Sequence, residues 1–161
     1  MRTIWLSLVG FALIALVATP TGQSRISQGA DGKRFLGTWR LVETTTDGKP
    51  DPNRGLHPVG VIYYDATGHM AAQIMPEGRR RAFAGILPTP EEAHAALRGY
   101  TAYFGTYAVD ERTQTVTHQR DGNINPGGLG PFVRRYEFLP GDRLVLRPME
   151  NQNRLVWERI K

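Results

Sequence analysis

Phe35-Leu36-Gly37-Thr38-Trp39-Arg40-Leu41-Val42-Glu43 is the stretch on which the fold turns. It carries Gly-x-Trp and then alternates. Successive strand residues face opposite ways. One face is therefore predicted to hold Gly37, Trp39, Leu41 and Glu43, the other Thr38, Arg40, Val42 and Thr44. Near the far end, Leu155-Val156-Trp157-Glu158-Arg159 alternates in the same way, with Leu155, Trp157 and Arg159 sharing a face. If these first and last strands pair antiparallel, Trp39 lies beside Arg159. A sheet whose edges meet is a closed barrel. Two ordinary strands in an open sheet are the alternative.

The segments between support the barrel. The first strand is expected from about Phe35 to Thr46. Asp47 to Asn53 holds two prolines, which remove ladder donors, and reads as a loop reaching His57. Val59 to Tyr64 and His69 to Met75 form a hairpin across Asp65-Ala66-Thr67-Gly68. After an irregular stretch, Thr89 is a helix N-cap with Pro90 at N1 and Glu92 at the capping-box position; Gly99 stops the helix. Ala93, Ala96 and Leu97 are its expected buried stripe. Strands follow at Tyr100 to Val109, Thr113 to Gln119, Phe132 to Leu139, Arg143 to Arg147 and Arg154 to Ile160. This makes an all-β domain, an eight-stranded antiparallel up-and-down barrel with one short helix between the third and fourth strands. Such a barrel has room for one small ligand. A sandwich is the competing architecture.

Composition narrows the function. The 161 residues suit one domain and contain no cysteine, which excludes disulfides, thiolate metal sites and a cysteine nucleophile. The formal charge of +5, carried by 17 arginines and 3 lysines, bears on solubility more than on any partner. Met1-Arg2-Thr3 precedes an apolar run from Ile4 to Val17, which has the length of a signal-peptide core and is short for a membrane span. Residues 1–24 are read as a signal peptide, 25–33 as a flexible leader and 34–161 as the barrel. The expected location is periplasmic or secreted, with no stable membrane insertion once the signal is removed. An uncleaved N-terminal anchor is the alternative.

The ordered set Leu36-Gly37-Thr38-Trp39-Arg40-Leu41-Val42, Gly60-Val61-Ile62-Tyr63-Tyr64-Asp65, Gly68-His69-Met70, Pro90-Glu91-Glu92, Ala102-Tyr103-Phe104-Gly105-Thr106-Tyr107, Val116-Thr117-His118, Arg135-Tyr136, Gly141-Asp142-Arg143-Leu144 and Val156-Trp157-Glu158-Arg159 resembles the bacterial lipocalin-like domain of the calycin group. The resemblance spans Phe35 to Arg159 and implies a lipocalin-like barrel. It also implies that Arg159 caps Trp39, so Gly37, Trp39, Trp157 and Arg159 are the expected closure residues. The other lipocalin motifs are missing. A fold of this kind does not set a function.

The candidate chemistry is sparse. Ser7, Ser24 and Ser27 all precede the barrel, so a serine triad inside it is excluded. Lys33, Lys49 and Lys161 sit in the leader, a loop and the terminus, none placed for a Schiff base. The histidines, at 57, 69, 94 and 118, have no zinc-ligand spacing; no metal and no cofactor is expected. His118 shares a face with Val116 and suits a ligand contact or a general base, against a structural hydrogen-bonding role. Of Arg134 and Arg135, one turns inward, either with Val133 and Glu137 or with Phe132, Tyr136 and Phe138. The resemblance selects Arg135, as an ion-pair partner of Glu43 or Glu137 or as an anchor for a ligand carboxylate. Tyr103 and Tyr107 share a face across Gly105, which leaves room for a bend or a close approach. Arg79-Arg80-Arg81 is too short and too poor in aromatics for a nucleic-acid footprint. The expected partner is a small apolar or amphipathic molecule bound by Tyr103, Tyr107, His118 and Arg135, with no nucleic acid. The rival readings are a proton-transfer enzyme, an isomerase or cyclase with His118 as base and Arg135 or a tyrosine holding an enolate, and a ligand-free envelope protein acting through its surface.

Overall fold

A computed structural model describes residues 29–78 and 80–161. The expected signal peptide and the first four residues of the leader, 25–28, lie outside them. The order is α1 (Ala30–Phe35), β1 (Gly37–Thr46), β2 (Lys49–Pro50), β3 (Val59–Tyr64), β4 (His69–Met75), α2 (Pro90–Leu97), β5 (Thr101–Asp110), β6 (Thr115–Asn123), β7 (Gly130–Leu139), β8 (Arg143–Pro148) and β9 (Asn153–Arg159). β1 and β3 to β9 pair antiparallel in sequence order, and β9 pairs back onto β1. Eight strands thus close an up-and-down barrel.

Closure follows the expected seam. Trp39 lies opposite Arg159 and Leu41 opposite Trp157. The Arg159 guanidinium stacks 4.0 Å from the Trp39 ring centroid and donates to the Leu36 carbonyl. Gly37 has φ +111°, and a Cβ there would sit 3.1 Å from Arg159 Nη1. Glycine therefore serves both the backbone conformation and the arginine's approach.

Four details depart from the sequence reading. The helix follows β4 rather than lying between the third and fourth strands, because Lys49–Pro50, expected as loop, forms an extra two-residue strand against Thr45 and Thr46. α2 has the expected capping box, with Thr89 Oγ1 accepting from Glu92 N and Thr89 N donating to the Glu92 carboxylate. It buries none of its residues, though, so the Ala93, Ala96 and Leu97 stripe faces no core. In β1 the register shifts between Leu41 and Glu43. This bulge turns Thr44 inward, to 2% exposure, and sends Glu43 outward to Arg154 Nη1 at 2.6 Å. A bulge adds one residue and so exchanges the two faces beyond it.

α1 is the fourth. Its amides at Asp31 and Gly32 donate to Glu111 Oε1 at 2.8 and 3.2 Å, which satisfies helix-start donors. The helix delivers Phe35, fully buried, edge-on to Tyr64, Tyr136 and Phe138 at centroid distances of 5.2, 5.0 and 5.2 Å. Phe35 therefore plugs the end of the barrel where β3 and β7 finish.

The other glycine that matters is Gly105, at a bulge where Phe104 pairs Gly122 and Gly105 pairs Arg120. A Cβ on Gly105 would lie 1.9 Å from the Gln119 carbonyl oxygen. Gly105→Ala is expected to cost about 3 kcal/mol through overpacking against backbone that cannot retreat. A urea midpoint unchanged from wild type would contradict this.

Candidate functional site

β5, β6, β7 and β3 carry one polar cluster into the apolar interior. His118 is fully buried. Its Nδ1 is 2.9 Å from the Tyr103 hydroxyl and its Nε2 is 2.8 Å from the Tyr64 hydroxyl. Arg134, 6% exposed, donates from Nη2 to the Tyr103 hydroxyl at 3.2 Å. Ile62, Ala72, Ile74, Leu146 and Leu155, all buried, belong with Tyr64 and Tyr103 to one hydrophobic core.

Alternation explains the placement. Val116 and His118 share a face of β6, and Arg120 follows on it. In β7, Phe132, Arg134, Tyr136 and Phe138 face inward while Val133, Arg135 and Glu137 are exposed. Arg120 and Arg134 both lie over the Phe132 ring, at 4.8 and 4.4 Å from its centroid.

The expected site is therefore partly brought together. His118 and Tyr103 touch. Tyr107 is buried on the same face but donates to the Asp65 carbonyl at 2.9 Å, so it fastens the β3–β4 turn. Arg135 corrects the reading: it is exposed on the outer face, and Arg134 is the inward arginine. Neither candidate carboxylate meets it, since Glu43 pairs with Arg154 and Glu137 with Arg147 at 3.2 Å. Arg134 is the alternative that the resemblance set aside; Arg120 and Tyr64 are not among the expected site residues. The aromatic run Phe132, Tyr136 and Phe138 marks the inner face of β7 and would have picked out Arg134.

Electrostatics follow from burial. Removal from water, then the charges of Arg134 and Arg120, hold the His118 imidazole well below its ordinary pKa; it is neutral at pH 7. Burial, reinforced by Tyr103, raises the Tyr64 phenol well above its usual value. Burial and the Asp65 carboxylate push Tyr107 up to about 12. The site consists of neutral hydroxyls and a neutral imidazole beside fixed positive charge. Among the described residues no group of three or more His, Cys, Asp or Glu side chains is placed to hold a metal ion.

A separate concavity of about 980 Å³ lies between α2, the segment after β4 and the start of β5, where Arg80, Arg81, Phe83, Leu97 and Tyr100 are among its lining. No member of the polar cluster lines it.

Residues 36–160 match the family described as the lipocalin-like domain. The chain belongs to that family. No curated protein sequence matches it. Among solved structures, a DUF4847 family protein from Bacteroides vulgatus is similar, at 14% identity, a TM-score of 0.45, and coverage of 83% of this chain and 99% of that one. The lipocalin-like match takes in the closure seam and all four members of the polar cluster.

Proposed function

We propose that this lipocalin-like protein is an exported carrier, periplasmic or secreted, that holds a small, mostly apolar molecule inside its barrel. The observation that carries the reading is the Tyr64–His118–Tyr103 chain buried among aliphatic walls. Ligand sites are mostly apolar with a few convergent polar groups, and a polar chain with no recognition task is costly to bury. Both imidazole nitrogens already hold tyrosine hydroxyls. That favours fixing a head group over abstracting a proton, since a base needs a lone pair facing its substrate. The apolar run from Ile4 to Val17 supports export.

Native mass spectrometry of the protein purified from its exporting host is expected to show a co-purifying small molecule. His118→Ala should weaken retention about tenfold without abolishing it, the loss of one buried hydrogen-bonding partner. A spectrum holding the bare polypeptide alone would defeat the carrier reading.

A further inference from the structure

The apolar side chains left on the surface are not spread evenly. Strand pairing gives the barrel two ends. At one, Phe35 seals the interior, and the connecting turns 65–68, 111–114 and 140–142 are short and carry no large apolar residue. At the other, where β4 leads to β5 and β6 to β7, the connections carry Phe83, Ile86, Leu87, Leu97, Ile124 and Leu129, each 46% exposed or more. Ile86 is 100% and Leu87 82% exposed. Every residue of 80–90 is exposed, and α2 beside them buries none of its own. Large aliphatic side chains so placed forgo the burial they ordinarily find. An apolar patch of this kind on a protein surface marks a contact site.

Charge accompanies the patch. Residues 79–90 hold three arginines, at 79, 80 and 81, and no acid. Arg80 donates to the Ala96 carbonyl and lies 5.9 Å from the Tyr100 ring centroid, which ties the base of the loop to the end of α2 and keeps the guanidinium at the surface. Arg80, Arg81, Phe83 and Leu97 line the outer concavity together with Glu91 and Glu92. The Glu92 carboxylate is taken up by the Ala84 and Thr89 amides. The tip itself, 82–90, is uncharged, with the arginines immediately before it.

A second copy of the chain fits this patch poorly, because a two-fold contact sets each patch against its own like, arginines included. A protein partner holds its anchors in pockets, whereas Ile86 and Leu87 stand proud of the surface. A bilayer needs no matching relief. It takes protruding apolar side chains into the acyl boundary and leaves cations at the head groups. We propose that this end of the barrel docks on the surface of an anionic lipid bilayer, with Ile86 and Leu87 entering the interface and Arg80 and Arg81 meeting the phosphates. The contact is peripheral and reversible. It makes no use of the barrel interior and stands whether or not a molecule is carried there.

Vesicle flotation of the full protein tests this. Wild type is expected to bind phosphatidylcholine vesicles containing about one-third phosphatidylglycerol about 30-fold more tightly than phosphatidylcholine alone, the attraction of two arginines to an anionic surface. Salt at about 0.5 M should remove most of that preference. The paired variant Ile86→Ser with Leu87→Ser should bind the anionic vesicles about 20-fold more weakly at an unchanged Tm, since the fold buries neither side chain. Arg81→Gln should lower the anionic preference about fivefold. All chains compared share one N-terminus, so the apolar run at residues 4–17 contributes equally. Leu87→Trp reads the tip directly. Trp39 and Trp157 are buried, so the emission added over wild type should shift to the blue on anionic vesicles. An unshifted emission, binding indifferent to head-group charge, or equal binding by wild type and the paired variant would overturn the proposal. A lipid-free dimer that the paired variant dissolves would give the tip to a second copy instead.

Discussion

Trp39→Ala is expected to cost about 4 kcal/mol, the range for deleting a large aromatic side chain from a packed core, which is much of the stability of a domain this size. Trp39 is 1% exposed. Its indole Nε1 donates to the Phe35 carbonyl at 2.8 Å, so truncation also loosens the residue that plugs the barrel end. Above the ring, the Arg159 guanidinium loses its stacking surface. Three contacts thus meet on one side chain: the seam between first and last strands, the plug, and the arginine cap. The urea midpoint should fall sharply with little change in m, since the surface exposed on unfolding is nearly the same. Trp39→Phe keeps the ring but loses the indole N–H and should cost less than half as much. A loss below about 1 kcal/mol for Trp39→Ala would mean that the seam is not what holds the barrel shut.

The seam was legible because strand alternation and closure are both local patterns. Gly37, Trp39, Leu41, Trp157 and Arg159 declare their faces through period two, and hairpin turns give the strand order. What was not legible depends on single-residue changes of phase. The bulge at Val42 leaves no mark in composition, yet it decides that Thr44 rather than Glu43 looks inward. Arg134 and Arg135 differ by one position, and the choice rests on which face of β7 is aromatic. α1 is a single helical turn and a half in a polar, glycine-containing stretch; its stability comes from Glu111 and from Phe35 packing, both supplied by distant parts of the chain. Tyr64 was placed on the correct strand, but its meeting with His118 spans 54 positions. Such contacts are products of closure and appear only once the barrel exists.

The second large effect is on acid stability. Burial, then Arg134 and Arg120, depress the His118 pKa in the fold, while in the unfolded chain it returns to about 6.5. The unfolded state therefore binds the proton first. A depressed folded pKa leaves stability intact above about pH 6.5 and removes it as pH falls from there toward the folded value. The slope approaches about 1.4 kcal/mol per pH unit for the one proton involved. The groups facing the imidazole are the Tyr64 and Tyr103 hydroxyls and the two guanidiniums. Asp65 acts lower down: against a desolvation effect that raises its pKa, hydrogen bonds from His69 and Thr67 lower it on balance, so its contribution disappears only below about pH 4. Thermal melts between pH 7.5 and 4.5 should show Tm falling below pH 6.5 in wild type. His118→Gln retains a donor and an acceptor without a titrating ring, and should flatten that part of the profile while lowering Tm at pH 7.5. The same slope in both proteins would assign the acid sensitivity elsewhere and would mean that His118 takes up its proton equally readily folded and unfolded, which a fully buried imidazole beside two uncompensated arginines should not do.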